Sequence, residues 1–230
     1  MDFNLTEIGN CKIWRKSHEQ SFAGISLRTN MTAVLCENDF LWVHSPVPLS
    51  SQERELLDSL GKVKWVIAPN LFHHLYLGGF IEHYPDAITY APAGIEKKCS
   101  MPSGYEELRS VAHEWESEIR KIPVAGAPGL GECVFFHNAT GSLIVTDILF
   151  SVIPTKNLVR KFVLALLDLN RPVAVSRTMR FMIKDKSRFV NFAEEIRHLD
   201  IQRLLAAHER VLEDDAKQHV LAALRSYQRI

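Results

Sequence analysis

Ala68-Pro69-Asn70-Leu71-Phe72-His73-His74 closes the apolar run Val63 to Ala68, so two histidines stand just past the point where a short strand gives way to a loop. That run is short enough for a buried strand, and Pro69-Asn70 is a pair that stops regular structure and starts a turn. Adjacent side chains on a strand point to opposite faces, so His73 and His74 can converge only on such a turn or at a helix start. The pattern recurs twice. Leu143 to Val145 ends in Thr146-Asp147, and Arg203 to Ala207 ends in His208-Glu209. Each is a metal-capable group where a loop leaves a sheet, which is where α/β proteins build their sites.

Upstream, Ile25 to Cys36 and Phe40 to His44 are β-rich runs separated by Glu37-Asn38-Asp39, which predicts a hairpin. Ser50-Ser51-Gln52-Glu53 is a capping box that opens a helix through Leu56, Leu57 and Leu60, stopped by Gly61. Leu75 to His83 reads as a helix and Ala87 to Tyr90 as a short strand. Ser100 to Ser117 is polar and irregular. Beyond it the pattern restarts with strands at Ile119 to Val124, Cys133 to Phe136 and Leu143 to Val145, the last two joined by the turn Asn138-Ala139-Thr140-Gly141. Leu158, Phe162, Val163 and Leu166 recur at helical spacing, so Asn157 to Leu169 is read as an amphipathic helix. Helices follow around Met179 and from Ser187 to Leu199, then the strand Arg203 to Ala207. The chain closes on a helix from Asp215 to Tyr227 with Ala216, Val220, Leu224 and Tyr227 on one face.

Strands interleaved with helices in two similar halves predict an α/β protein with two mixed sheets packed together and helices on the outer faces. No low-complexity linker divides the halves, so residues 1–230 are expected to form a single domain. With 27 basic and 27 acidic residues the formal net charge is zero, which argues against nucleic-acid or membrane partners. The four cysteines are dispersed, without a C-x-x-C pair, and the first residues hold no apolar segment of signal-peptide length. The expectation is a cytoplasmic protein.

On these residues the chain resembles the metallo-β-lactamase superfamily, whose first motif is a strand followed by T-H-x-H-x-D-H. Laid on Ala68 to His74, Pro69 and Leu71 replace the two histidines of the first metal. His73 stands at the motif's Asp, and His74 matches its final His. Ala127-Pro128-Gly129-Leu130 looks like the Gly/Pro turn, with Leu130 near the third ligand of the first metal. Asp147 matches the strand-ending Asp and His208 the last His. The resemblance spans roughly Ile25 to Tyr227 and implies a four-layer αβ/βα sandwich. Leu41-Trp42-Val43-His44-Ser45-Pro46-Val47, Tyr84-Pro85, Tyr90-Ala91-Pro92 and Glu132-Cys133-Val134-Phe135-Phe136-His137 look like an uncharacterised branch of that superfamily.

Half of the family's metal site is thus missing. All three ligands of the first metal are apolar, while His73, His74, Asp147 and His208 survive for the second, and random loss is not expected to sort so cleanly. The resemblance implies a metal-dependent hydrolase-like protein holding one divalent ion, zinc in preference to iron. Asp147 would orient a water, and Glu132 or His137 would carry a proton to the leaving group of a small-molecule substrate. Two other readings stay open: a degenerate scaffold that binds without metal, and an iron-bound redox protein. A homodimer is compatible with the sequence. The plainer readings make Asp147 an N-cap for the turn that follows it, Glu132 and His137 surface polar residues, and His44 a satisfied core histidine. The basic stretch from Arg171 to Arg188 reads as a solvated helix face, or as a patch that steers an anionic substrate.

Overall fold

The computed structural model describes residues 5–22, 25–101, 104–110, 112–153, 155–208 and 210–225. They divide into two compact units, residues 1–20 with 28–118, and residues 21–27 with 119–230.

The first unit is built on a seven-stranded mixed sheet, β1 (Leu5–Glu7), β2 (Ile13–Phe22), β3 (Ile25–Leu35), β4 (Phe40–His44), β5 (Lys62–Ile67), β6 (Ile88–Ala91) and β7 (Glu106–Glu107), in that spatial order. The hairpin expected around Glu37-Asn38-Asp39 is present: β3 and β4 pair antiparallel, and Asn38 takes φ 58° in the turn. From β4 to β7 the pairing is parallel, and helices α1 (Ser51–Leu60) and α2 (Leu77–His83) make the β4–β5 and β5–β6 crossovers. Alternation along the strands sends Met31, Ala33, Leu41, Val43 and Val66 toward Leu57 of α1 and Leu77 and Phe80 of α2. The opposite face carries aromatic groups: Trp42 stacks on His44 and meets Trp115, which in turn stacks on His113.

α1 starts as its sequence dictates, with Ser50 Oγ accepting from the Glu53 amide and Glu53 Oε2 from the Ser50 amide. Gly61 ends it for a reason other than the left-handed backbone expected of a stop glycine. Its φ is 163°, extended, and a Cβ there would lie 2.6 Å from the Asp39 carbonyl oxygen. The glycine makes room for the β3–β4 turn.

The second unit holds a five-stranded mixed sheet in the order β14 (Val211–Leu212), β13 (Arg203–Ala206), β10 (Ser142–Val145), β9 (Cys133–His137) and β8 (Ile119–Pro123). β10 and β13 are parallel and the other pairs antiparallel. Val134, Phe136, Leu143, Val145, Leu204 and Ala206 turn one way, into a core shared with Phe189, Phe192 and Ile196 of α5 (Lys186–Arg197) and Val220 and Leu224 of α6 (Ala216–Arg225). Phe135, Ile144 and Leu205 turn the other way and are equally buried. Between β10 and α5 the chain makes an excursion: β11 (Phe150–Ser151), α3 (Leu158–Leu166), β12 (Val173–Ala174) and α4 (Arg177–Met182), with β11 and β12 paired.

Each unit is therefore a mixed sheet with helices against one face, as the α/β reading requires. β1 and β2 were not anticipated, because β2 is mostly polar and hides its period behind Arg15, Lys16 and Glu19. The expected amphipathic helix exists as α3, but none of its residues is buried. Tyr227, placed on the last helix by its spacing, lies outside the described residues. Among those residues no helix is long and apolar enough to cross a membrane.

Candidate functional site

In the first unit the loop after β5 is shaped by Asn70, which is fully buried. Its side-chain oxygen accepts the amides of Phe72 and His73, both at 2.9 Å. This side-chain turn replaces the strand ladder as soon as β5 ends and fixes the backbone that carries His73. His73 Nδ1 then meets Ser45 Oγ at 2.7 Å. Ser45 leaves β4 with φ 52°, and its own amide donates to the Ile67 carbonyl at 2.9 Å. Two neighbouring strand ends thus cooperate to orient one ring, and a metal bond from that ring falls to Nε2. His74 uses Nδ1 on the Leu71 carbonyl at 3.1 Å, which also turns its Nε2 outward from the backbone. Burial lowers the His74 pKa, the Leu71 carbonyl opposes that shift, and Lys98 and His73 add to it. His44 is fully buried, and burial with His73 and Arg15 nearby holds it neutral far below the ordinary histidine value. It is a core histidine, as the plainer reading held.

In the second unit strand register does the positioning. Val145 pairs with Ala206 in the parallel β10–β13 ladder, and the Ala207 amide donates to the Val145 carbonyl at 2.8 Å. The residues two steps past that pair, Asp147 and His208, leave the sheet side by side. Asp147 Oδ1 lies 3.1 Å from His208 Nε2, both residues are about 8% exposed, and Phe150 stacks flat on the imidazole at 5.0 Å. Asp147 is therefore engaged with His208.

Glu132 and His137 are buried, not surface polar residues. Glu132 is fully buried, and its two oxygens accept the amides of Thr146 and Asp147 at 3.1 Å each and of Ile148 at 3.2 and 3.3 Å. A carboxylate held by three backbone donors is a clamp on the 146–148 loop and a poor base for a second task. His137 sits at the far end of β9. It pairs with Ser142, three strand steps before Val145, so it lies about 10 Å from that exit at ~3.4 Å per residue. Its Nδ1 is hydrogen bonded to Thr140 Oγ1 at 2.8 Å, and burial followed by Arg203 lowers its pKa. Antiparallel register thus corrects the expectation that His137 carries a proton at the Asp147 end. A lone acid in front of Cys133-Val134-Phe135-Phe136 was a signal of burial that composition alone did not turn into a role.

Leu130 is fully buried in the helix-side core of the second unit, and Leu71 packs against the core of the first.

These two sheets and their strand-end sites define a known fold. A metallo-β-lactamase from Pontibacter korlensis superposes with a TM-score of 0.63 over 96% of this chain and 97% of its own, at 11% identity. The mono-zinc form of a Pseudomonas aeruginosa metallo-β-lactamase gives 0.63 over 98% and 96%, at 10% identity. A Nostoc sp. protein assigned as a diflavin flavoprotein gives 0.59 over 94% and 93%, at 10% identity. The chain has the metallo-β-lactamase fold. No protein-family model matches it, and no curated protein matches it in sequence.

Proposed function

We propose that this chain holds one divalent metal ion and acts as a metal-dependent hydrolase on a small-molecule ester, thioester, amide or phosphodiester. His73, Asp147 and His208 each offer one ligand atom, and His74 enters as a fourth donor only through its match to the family motif.

The observation that carries it is the buried Asp147–His208 pair. Two donors on one zinc ion at ~2.0–2.1 Å in tetrahedral geometry are about 3.3 Å apart, and Asp147 Oδ1 and His208 Nε2 are separated by 3.1 Å. The supports around the pair are those that metal ligands need: Phe150 against the imidazole, and Glu132 beneath the Asp147 backbone. Nitrogen and carboxylate donors without thiolate suit zinc or iron, and the reading takes zinc. When bound, a divalent ion supplies Lewis acidity that brings the pKa of water toward ~7 and polarises a carbonyl or phosphoryl oxygen.

The protein's own groups do the rest. His208 and His73 would supply ring nitrogens to the ion, and Ser45 orients His73. Asp147 would offer Oδ1 to the ion beside His208 Nε2 and use Oδ2 to orient a water. Glu132 is a positioning residue that acts through Asp147, and His137 has no part in the chemistry.

Metal analysis of the purified chain by plasma mass spectrometry tests the reading. Near-equimolar zinc that is lost in Asp147→Asn and His208→Ala, with the circular dichroism unchanged, is expected, and His74→Ala should weaken uptake. Iron in place of zinc would favour a redox role, and a folded chain that takes up neither would favour a binding scaffold.

A further inference from the structure

We propose that the excursion formed by residues 148–184 docks on an anionic lipid bilayer. Five large apolar side chains there face solvent: Leu158 is 79% exposed, Val159 73%, Phe162 70%, Leu166 57% and Phe181 77%. Only three other large apolar side chains among the described residues are exposed, and of these only Leu75 is as open as the five, so exposure is concentrated in this segment. α3 has apolar groups to spare. Its inner side, Leu164, sits with Leu167 on a small cluster of Val152, Leu169 and Ala174, while Leu158, Val159, Phe162 and Leu166 on its outer side are exposed.

Charge is concentrated in the same segment. Residues 148–184 contain seven lysines and arginines and one acid, Asp168, which is ion-paired with Arg180. The chain is neutral overall only because the remainder carries the opposite excess. The expectation of no membrane partner rested on that total, which hides the segregation. The segment is one piece: β11 pairs with β12, and the Arg177 amide donates to the Leu167 carbonyl at 2.9 Å.

A helix with apolar side chains outward and lysines beside them has the composition of an interfacial helix lying flat on headgroups. Lys156 and Lys161 flank the outward face of α3, and the Lys184 ammonium sits 4.0 Å from the Phe181 ring centroid. Long lysine stems let the charge stay at headgroup level while the neighbouring ring goes deeper. A second copy of this chain fits less well, since it would set a basic surface against an equally basic one.

Flotation of the full chain with vesicles of equal parts phosphatidylserine and phosphatidylcholine, and with phosphatidylcholine alone, tests the proposal. Binding to the anionic vesicles only, reversed by salt, is expected. Phe162→Asp should lower the partition at least about tenfold with unchanged circular dichroism. Lys156→Ala and Lys161→Ala should each lower it about fivefold. No binding to anionic vesicles, or binding that Phe162→Asp leaves intact, would overturn the proposal. So would a dimer in sedimentation velocity that Phe162→Asp dissociates, which would make this face a contact between copies.

Discussion

Replacing Glu132 with alanine removes a carboxylate that accepts the amides of Thr146, Asp147 and Ile148, in a place with no solvent exposure. A buried donor left unsatisfied costs ~1–3 kcal/mol. Three of them, partly relieved by water entering the space of the side chain, give a loss of about 3–6 kcal/mol. Glu132→Gln keeps one carbonyl oxygen as acceptor but turns an amide group toward the remaining donors, so about half of that loss is expected. At ~2–4 °C per kcal/mol for a chain of this size, the alanine variant should melt about 6–24 °C below wild type. Urea unfolding at neutral pH measures the free energy, and a zinc titration of the same samples measures the second consequence. A loop released from Glu132 no longer holds Asp147 against His208, so zinc affinity should fall ~10–100-fold even in Glu132→Gln. The clamp reasoning is refuted if Glu132→Ala unfolds within about 0.5 kcal/mol of wild type, the spread of an ordinary surface substitution. If stability falls but zinc affinity does not, Glu132 supports the fold without positioning the site.

Asn70→Ala frees two amides of the β5 exit and should cost about 1–3 kcal/mol, while Asn70→Asp, which keeps the acceptor, should cost less. An alanine variant as stable as wild type would show that water replaces the side-chain turn. Acid should destabilise the chain through His137, whose pKa is lowered in the folded state. Above its ordinary value of 6.5 both folded and unfolded forms are neutral and the stability is fully present. Below it the unfolded chain takes up the proton first, so stability falls by at most ~1.4 kcal/mol per pH unit until the folded-state pKa is reached. Unfolding curves from neutral pH to about pH 5 should be shallower in His137→Gln than in wild type, and equal slopes would sink the assignment.

Local signals settled what neighbouring residues settle between themselves. The capping box Ser50–Glu53, the turn Glu37-Asn38-Asp39 and the period of β9 and β10 each lie within a few residues, and each element formed where those residues place it. Donor types at strand ends were equally legible, because Pro69-Asn70 and Thr146-Asp147 mark exits whatever the rest of the chain does. Tertiary structure alone decided the pairing of residues distant in sequence. Asp147 and His208 are 61 residues apart, and only the parallel register of β10 and β13 brings Oδ1 to Nε2. The same holds for Glu132 and His137, which read alike as polar residues flanking one strand. Antiparallel register sends one under the site loop and the other to the far end of the sheet, a distinction made by hydrogen bonds between strands. α3 shows the converse. Its apolar spacing correctly predicted a helix, but periodicity says nothing about whether a partner surface exists, and in this chain the outer face of α3 meets solvent.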